Sequence, residues 1–278
     1  MKLYQESNTE NNDNFENIVI STDFKTYNGH VKWPNDYEMS LGDALRYGNY
    51  NKAKDLITSG KDTEYYIDNL LDIHDEKMLE LLWENGILNC HSEETEVFSS
   101  ILYRYSNVLS CFREEPGHDF SDTGDFFKTE DDIHNKFLCI IRFLLEKVFN
   151  VNENIGSNKT ETPLLIAIDR GLAKLVFYLV EDWNADVNFA PKNADGSLNH
   201  TPLEKLLIKI VDYNTNTGLE ENDKIVLLNE NCAIVRLLIK HNALLTEECV
   251  INTRKIDDQK LKNQLYKILD ITDSYPAI

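Results

Sequence analysis

Cys111, His118, His134 and Cys139 are the residues of this sequence whose types come closest to a metal-ligand set. Zinc is held by closely spaced pairs of thiolate or imidazole ligands. The gaps from Cys111 to His118 and from His134 to Cys139 are wider than that. Cys139 also falls in the apolar run "HNKFLCIIRFLL", where a cysteine packs as a small hydrophobe. Cys90 and His91 are adjacent, but neighbouring side chains on a helix or strand point apart, and a thiolate–imidazole pair needs hydrogen-bond reach. No catalytic residue and no metal ligand is therefore expected. An enzyme with its site in the insertions described below is the alternative, and it would rest on Cys90, Cys111, His118 or His134.

The segment "DFSDTGDFFKTE", residues 119–130, raises calcium. Counted from Asp119, it puts Gly124 at position 6 and Glu130 at position 12, as a helix–loop–helix calcium loop requires. Ser121 and Thr123 at positions 3 and 5 are weaker ligands than the usual Asp or Asn. A calcium- or metal-regulated binding protein is thus a second alternative. Two other readings stay open for 113–132: a flexible acidic loop, or a docking loop whose Phe126 and Phe127 fill pockets on a basic partner. The sequence has no GxGxxG, GxxxxGK[ST], HExxH or GxSxG motif, and no cofactor is expected.

These residues have to be positioned by a chain of 278 residues with a formal net charge of −20. Such acidity repels phosphate backbones and anionic membrane surfaces, so neither nucleic acid nor membrane is an expected partner. No apolar run reaches the ~18–20 residues that span a bilayer, and the N-terminus lacks the apolar core of a secretory signal. The five cysteines are scattered and odd in number, which points to a reducing cytosol. A cytoplasmic monomer is expected, and the sequons at Asn158 and Asn199 are read as chance.

Helix signals dominate the middle of the chain. In "TETPLLIAIDRGLAKLVFYLVEDWNADVN" (160–188), Thr162 can cap a helix whose first position is Pro163. Gly171 suits the left-handed corner after it. A second helix follows with Leu175, Val176, Leu179 and Val180 on one face. Two short helices cannot bury both apolar faces alone, and the layout recurs. "LGDALRYGNYNKAKDLITSG" (41–60) repeats it, "YYIDNLLDIHDEKMLELLWENG" (65–86) does so loosely, and "HNKFLCIIRFLLEKVFNVN" (134–152) matches its second half. "HTPLEKLLIKIV" (200–211) and "CAIVRLLIKHNALL" (232–245) supply another pair, and "DDQKLKNQLYKILDI" (257–271) a C-terminal cap.

Thr162-Pro163-Leu164, Ala167, Gly171, the Val176/Leu179/Val180 face and Ala185-Asp186-Val187-Asn188 make this chain resemble an ankyrin-repeat protein, with one extra residue near Trp183. The resemblance implies an all-α solenoid of about five helix–turn–helix repeats over 40–271. A partly disordered extension over 1–39 would precede it and a tail over 272–278 would follow. Two insertions, about 107–132 and 212–231, are expected to leave the core as loops between helices. The resemblance further implies non-catalytic protein binding through a concave face and the acidic loop. Arg46, Tyr47, Phe126, Phe127, Asp169, Arg170, Trp183, Asn193, Asp195 and His200 are its candidate contacts, and a basic surface is the expected partner. The divergent, insertion-rich units are similar to host-directed ankyrin proteins of intracellular bacteria and large DNA viruses, which would place the chain in a host cytosol.

Overall fold

A computed structural model describes residues 40–46, 49–60, 73, 76–86, 94–114, 129–155, 160–192, 196–216, 218 and 221–271. Among them the regular structure is α-helical, with two isolated antiparallel bridges, Ile155–Glu161 and Lys192–Leu198. The protein is all-α. Its described residues fall into two compact units, 40–150 and 151–271. The extension over 1–39 and the tail over 272–278 lie outside the described residues.

The first unit holds α1 (Leu41–Arg46), α2 (Tyr50–Thr58), α3 (Glu76–Glu84), α4 (Glu94–Glu114) and α5 (Glu130–Lys147). α1 packs on α2, α2 on α3, α3 on α5, and α4 on α5. Local chemistry sets the starts. Asn49 caps α2 by accepting from the Lys52 N–H at 3.2 Å, and Thr129 and Asp132 cap α5 reciprocally. The α4–α5 core is aromatic: Phe98 stacks on Phe149 at 4.9 Å and Tyr105 on Phe137 at 4.7 Å. Arg142 of α5 pairs with Glu76 of α3.

The second unit holds α6 (Pro163–Asp169), α7 (Ala173–Glu181), α8 (Pro202–Thr215), α9 (Glu221–Lys240), α10 (Glu247–Arg254) and α11 (Gln259–Leu269). Consecutive helices pair as hairpins, α6 with α7, α8 with α9 and α10 with α11. The first helices also pack in a row, α6 on α8 and α8 on α10, and the second helices in another, α7 on α9 and α9 on α11. Two layers result, with Leu164–Ile168, Leu175, Val176, Leu206, Leu207, Val235 and Leu238 buried within them.

The caps follow from residue type. Thr162 accepts from the Leu165 N–H at 3.3 Å, and Thr201 from the Glu204 N–H at 3.3 Å, each with proline next. Gly171 has φ 68°, a conformation that costs an L-residue with a side chain. Second helices close on a left-handed residue too: Gly60 after α2, Gly86 after α3, Asn184 after α7, Asn242 after α9 and Asp270 at the end of α11. The extra residue near Trp183 is absorbed at that closure. The Ala185 N–H reaches back to Leu179 O, whereas the Ala243 N–H reaches one residue less, to Leu238 O, both at 2.9 Å.

Both insertions differ from the expected loops. Residues 107–114 are the last turns of α4, and 129–132 open α5; 115–128 lie outside the described residues. Most of 212–231 is helical as well, because α8 continues to Thr215 and α9 starts at Glu221. Before the turn the two helices stay fastened, Lys224 Nζ donating to Asn214 O at 2.8 Å, with Val211 and Val226–Leu228 half-buried. One helix was not foreseen: α10, capped by Thr246 accepting from the Cys249 N–H at 3.4 Å, pairs with the expected C-terminal α11.

Candidate binding face

α6 is so short, and so completely buried over Leu164–Ile168, that its last residue Asp169 and its C-cap Arg170 are left exposed beside each other. The Arg170 guanidinium lies 4.0 Å from the Asp169 carboxylate. α8 packs alongside and brings two lysines to the same place. Lys205 Nζ is 2.8 Å from Glu161 Oε1 and 3.5 Å from Asp169 Oδ1. Lys209 Nζ donates to Ile168 O at 2.7 Å and to Asp169 O, so it caps the carbonyl end of α6. A Cβ on Gly171 would lie 3.4 Å from that nitrogen, a second reason for glycine at the corner.

Burial pulls the Lys209 ammonium down to about 8, against the opposing pull of Asp169. Its nitrogen also sits 5.6 Å from the centre of the Tyr213 ring. The Tyr213 hydroxyl is raised by burial first, then by Asp169, Glu230 and Asp212. The result is a patch of alternating charge whose members are held by one another and by backbone carbonyls. Such a patch presents fixed charges to a partner at little cost in side-chain ordering.

Asp169 and Arg170 are thus the two sequence-predicted contacts that meet. Trp183 is half-buried, edge-on to Tyr178 with ring centres 6.3 Å apart, so part of its indole is spent on internal packing. His200 is exposed, and its N–H donates to Asn199 Oδ1 at 2.8 Å. The Asn199 amide nitrogen donates to Thr160 O at 3.2 Å, tying the loop before α8 to the loop before α6. Arg46 ends α1, but its side chain lies outside the described residues, as do Tyr47, Phe126, Phe127, Asn193 and Asp195 entirely.

The residues considered for metal chemistry are dispersed. Cys111 is exposed on α4 and Cys139 half-buried on α5. His134 is in the core with its Nδ1 against the Tyr105 hydroxyl, which burial raises above the ordinary tyrosine range. His118, Cys90 and His91 lie outside the described residues. No group of ligand side chains suited to a metal forms among the described residues. Glu130, the twelfth position of the calcium-loop reading, pairs with Arg113 at 3.0 Å and opens α5.

Sequence reasoning missed Glu161, Lys205, Lys209 and Tyr213, and also a relay that joins the loops of the second unit. Asn152 Oδ1 accepts from the Asp186 N–H at 2.8 Å, and Asp186 Oδ1 accepts from the Asn188 N–H at 2.9 Å. Asn188 Oδ1 accepts from the Leu244 N–H at 2.7 Å, while its amide donates to Asn242 O at 3.0 Å. The signal was the repeated Val-Asn pair at 151–152 and 187–188. On the other side, Glu204 Oε1 accepts from the Thr246 hydroxyl at 2.6 Å and links the caps of α8 and α10. Glu181 of α7 lies 2.7 Å from Lys240 and 3.4 Å from His241 at the end of α9. The Lys240 hydrogen bond, and secondarily His241, hold its carboxyl below the ordinary range.

No helix among the described residues is long and apolar enough to cross a membrane. No family model matches this sequence, and no curated protein or solved structure does either.

Proposed function

We propose that the chain is a non-catalytic protein-binding module built from ankyrin-like repeats. Its partner docks along the row of first helices, α6, α8 and α10, with the acidic segment 113–132 as a second contact. The observation that carries this reading is the packing order of the second unit. First helices lie on first helices and second helices on second helices, and the same asparagine bridge recurs from one loop to the next. Stacked units of that kind favour extended surfaces over enclosed pockets, and extended surfaces recognise proteins. The charge patch around Asp169, Arg170, Lys205 and Lys209 supplies fixed points of recognition where the end of α6 meets α8.

The test is affinity capture from candidate cytosols by the full chain, quantified against a variant carrying Asp169→Arg, Arg170→Glu and Lys205→Glu together. Proteins that bind the face are lost from the variant's capture. A captured set that is the same for both chains, with the variant folded by circular dichroism, refutes the reading.

A further inference from the structure

Lys209 has a chemistry that binding does not call on. Its half-buried nitrogen donates to Ile168 O and Asp169 O, and both acceptors are backbone carbonyls without formal charge. A neutral amine has two N–H groups, so Lys209 keeps both bonds when it gives up a proton. Its lone pair then takes the remaining tetrahedral position, directed away from the two carbonyls. Lys205 and Lys240 are built differently. Each has a carboxylate partner, Glu161 at 2.8 Å and Glu181 at 2.7 Å, which favours the charged ammonium.

Gly171 leaves open space beside this amine. A carbon placed where its side chain would begin lies 3.4 Å from Lys209 Nζ. Gly171 and its two chain neighbours aside, no other heavy atom comes within 4 Å of that point. A carbon there stands at the separation from which a nucleophile attacks, about 3–3.5 Å. The charged and titratable groups around the amine are Asp169 and Arg170 at the end of α6, Lys205 and Tyr213 on α8, and Glu230 on α9. Burial outweighs them and brings the ammonium down to about 8. About a tenth of the molecules then carry the free amine at neutral pH, against about one in three thousand for an ordinary lysine.

We propose that Lys209 is a site of acylation, its free amine attacking the carbonyl carbon of a small acyl thioester that enters the space beside Gly171. A C–N bond forms and the C–S bond breaks. The sulfur leaves with the electron pair and takes up the proton that the nitrogen sheds, giving an amide and a free thiol. The step involves no partner protein, so it stands whether or not the face docks one. Its consequence falls on the α6–α8 junction. An amide nitrogen has no charge and a single N–H for two carbonyls, so one carbonyl of α6 loses its donor and the patch loses a cation.

The probe is the acetyl thioester of N-acetylcysteamine, an uncharged donor, incubated with the full chain at neutral pH. Peptide mapping by mass spectrometry follows the acetylation of each lysine with time. Lys209 reacts about fivefold or more faster than exposed Lys240, because its larger free-amine fraction outweighs the lower nucleophilicity of a less basic amine. Its rate levels off above pH 8, whereas that of Nα-acetyl-lysine in the same solution keeps climbing. Gly171→Asn fills the space with a residue that tolerates the left-handed corner, and it slows Lys209 several-fold without changing Lys240. A Lys209 rate equal to or below that of Lys240 overturns the proposal. So does a Gly171→Asn protein, folded by circular dichroism, that is labelled at Lys209 as fast as wild type. If that variant does not fold, the wild-type comparison decides alone.

Discussion

Replacing Asn188 with alanine removes two hydrogen bonds that join successive hairpins, the one accepted from the Leu244 N–H at 2.7 Å and the one given to Asn242 O at 3.0 Å. A neutral hydrogen bond contributes about 0.5–1.5 kcal/mol net, so the pair is worth about 1–3 kcal/mol. Asn188 is half-buried, and water can partly replace what is lost, which favours the lower half of that range. The loss falls on one junction. Asn188→Ala therefore weakens the docking of α10 and α11 more than the α6–α7 hairpin, as in a stack whose stability sums over neighbours. Urea unfolding followed by circular dichroism gives the total, and amide hydrogen exchange gives its location, with protection falling first in α10 and α11. Asn188→Asp keeps the acceptor for Leu244 but faces Asn242 O with a second acceptor, so it recovers only part of the loss. Asn152→Ala removes one bond and costs about half as much, near 1 kcal/mol. The two changes do not add, because Asp186 connects the bridges through its own bond to the Asn188 N–H. An Asn188→Ala protein within about 0.5 kcal/mol of wild type, with unchanged exchange in α10 and α11, refutes the claim that this relay couples the units.

Gly171→Ala puts a side chain at φ 68° and a Cβ 3.4 Å from Lys209 Nζ, and it lowers stability by about 1–2 kcal/mol in thermal melts. Tyr105→Phe takes the hydroxyl away from buried His134 and costs about 1–3 kcal/mol; a change below that by urea titration shows the hydroxyl to be dispensable. Glu181 has a folded pKa below its ordinary 4.5, so its contribution is present above that pH and is lost as pH falls through the lowered value. Lys240→Ala flattens this acid limb of the stability profile. Lys209 has the opposite sign: its folded pKa of about 8 lies below the ordinary 10.5, so the burial cost of its charge is full below pH 8 and is relieved between 8 and 10.5. Lys209→Met removes that alkaline rise in the melting temperature.

Legibility tracked how local each feature is. Thr162, Pro163 and Gly171 announce α6 and its corner because cap, first turn and left-handed corner are each fixed within a few residues of sequence. α10 went unread because half of its buried face is Asn252 and Thr253, with Cys249 and Val250 the only apolar members, so its period carries little signal. Its cap, Thr246 followed by Glu247 and Glu248, was the cue that remained. The run 212–231 was read as an insertion looping out between two helices, yet α8 holds its helix to Thr215 and α9 opens at Glu221. Lys205 and Lys209 could not be singled out at all, since each acquires its role only when α8 packs on α6 and offers it a carboxylate or a carbonyl end.

The direction in which α8 and α9 lengthen explains how the hairpin packing accommodates residues 212–231. The loops that carry Asn152, Asn188 and Leu244 sit at one end of the hairpins, where the relay and the Thr162 and Thr201 caps fix the register. The added turns of α8 and α9 sit at the other end and lengthen the helices along their own axes, across the direction of stacking. α6 packs on α8 and α7 on α9, and continuous burial on α9 runs from Asn231 to Val235. An insertion placed this way adds surface without disturbing the core. Burial on the added turns is partial: Val226, Leu227 and Leu228 are half-buried and Ile225 is 46% exposed, whereas Leu206 and Leu238 are fully buried where the hairpins stack.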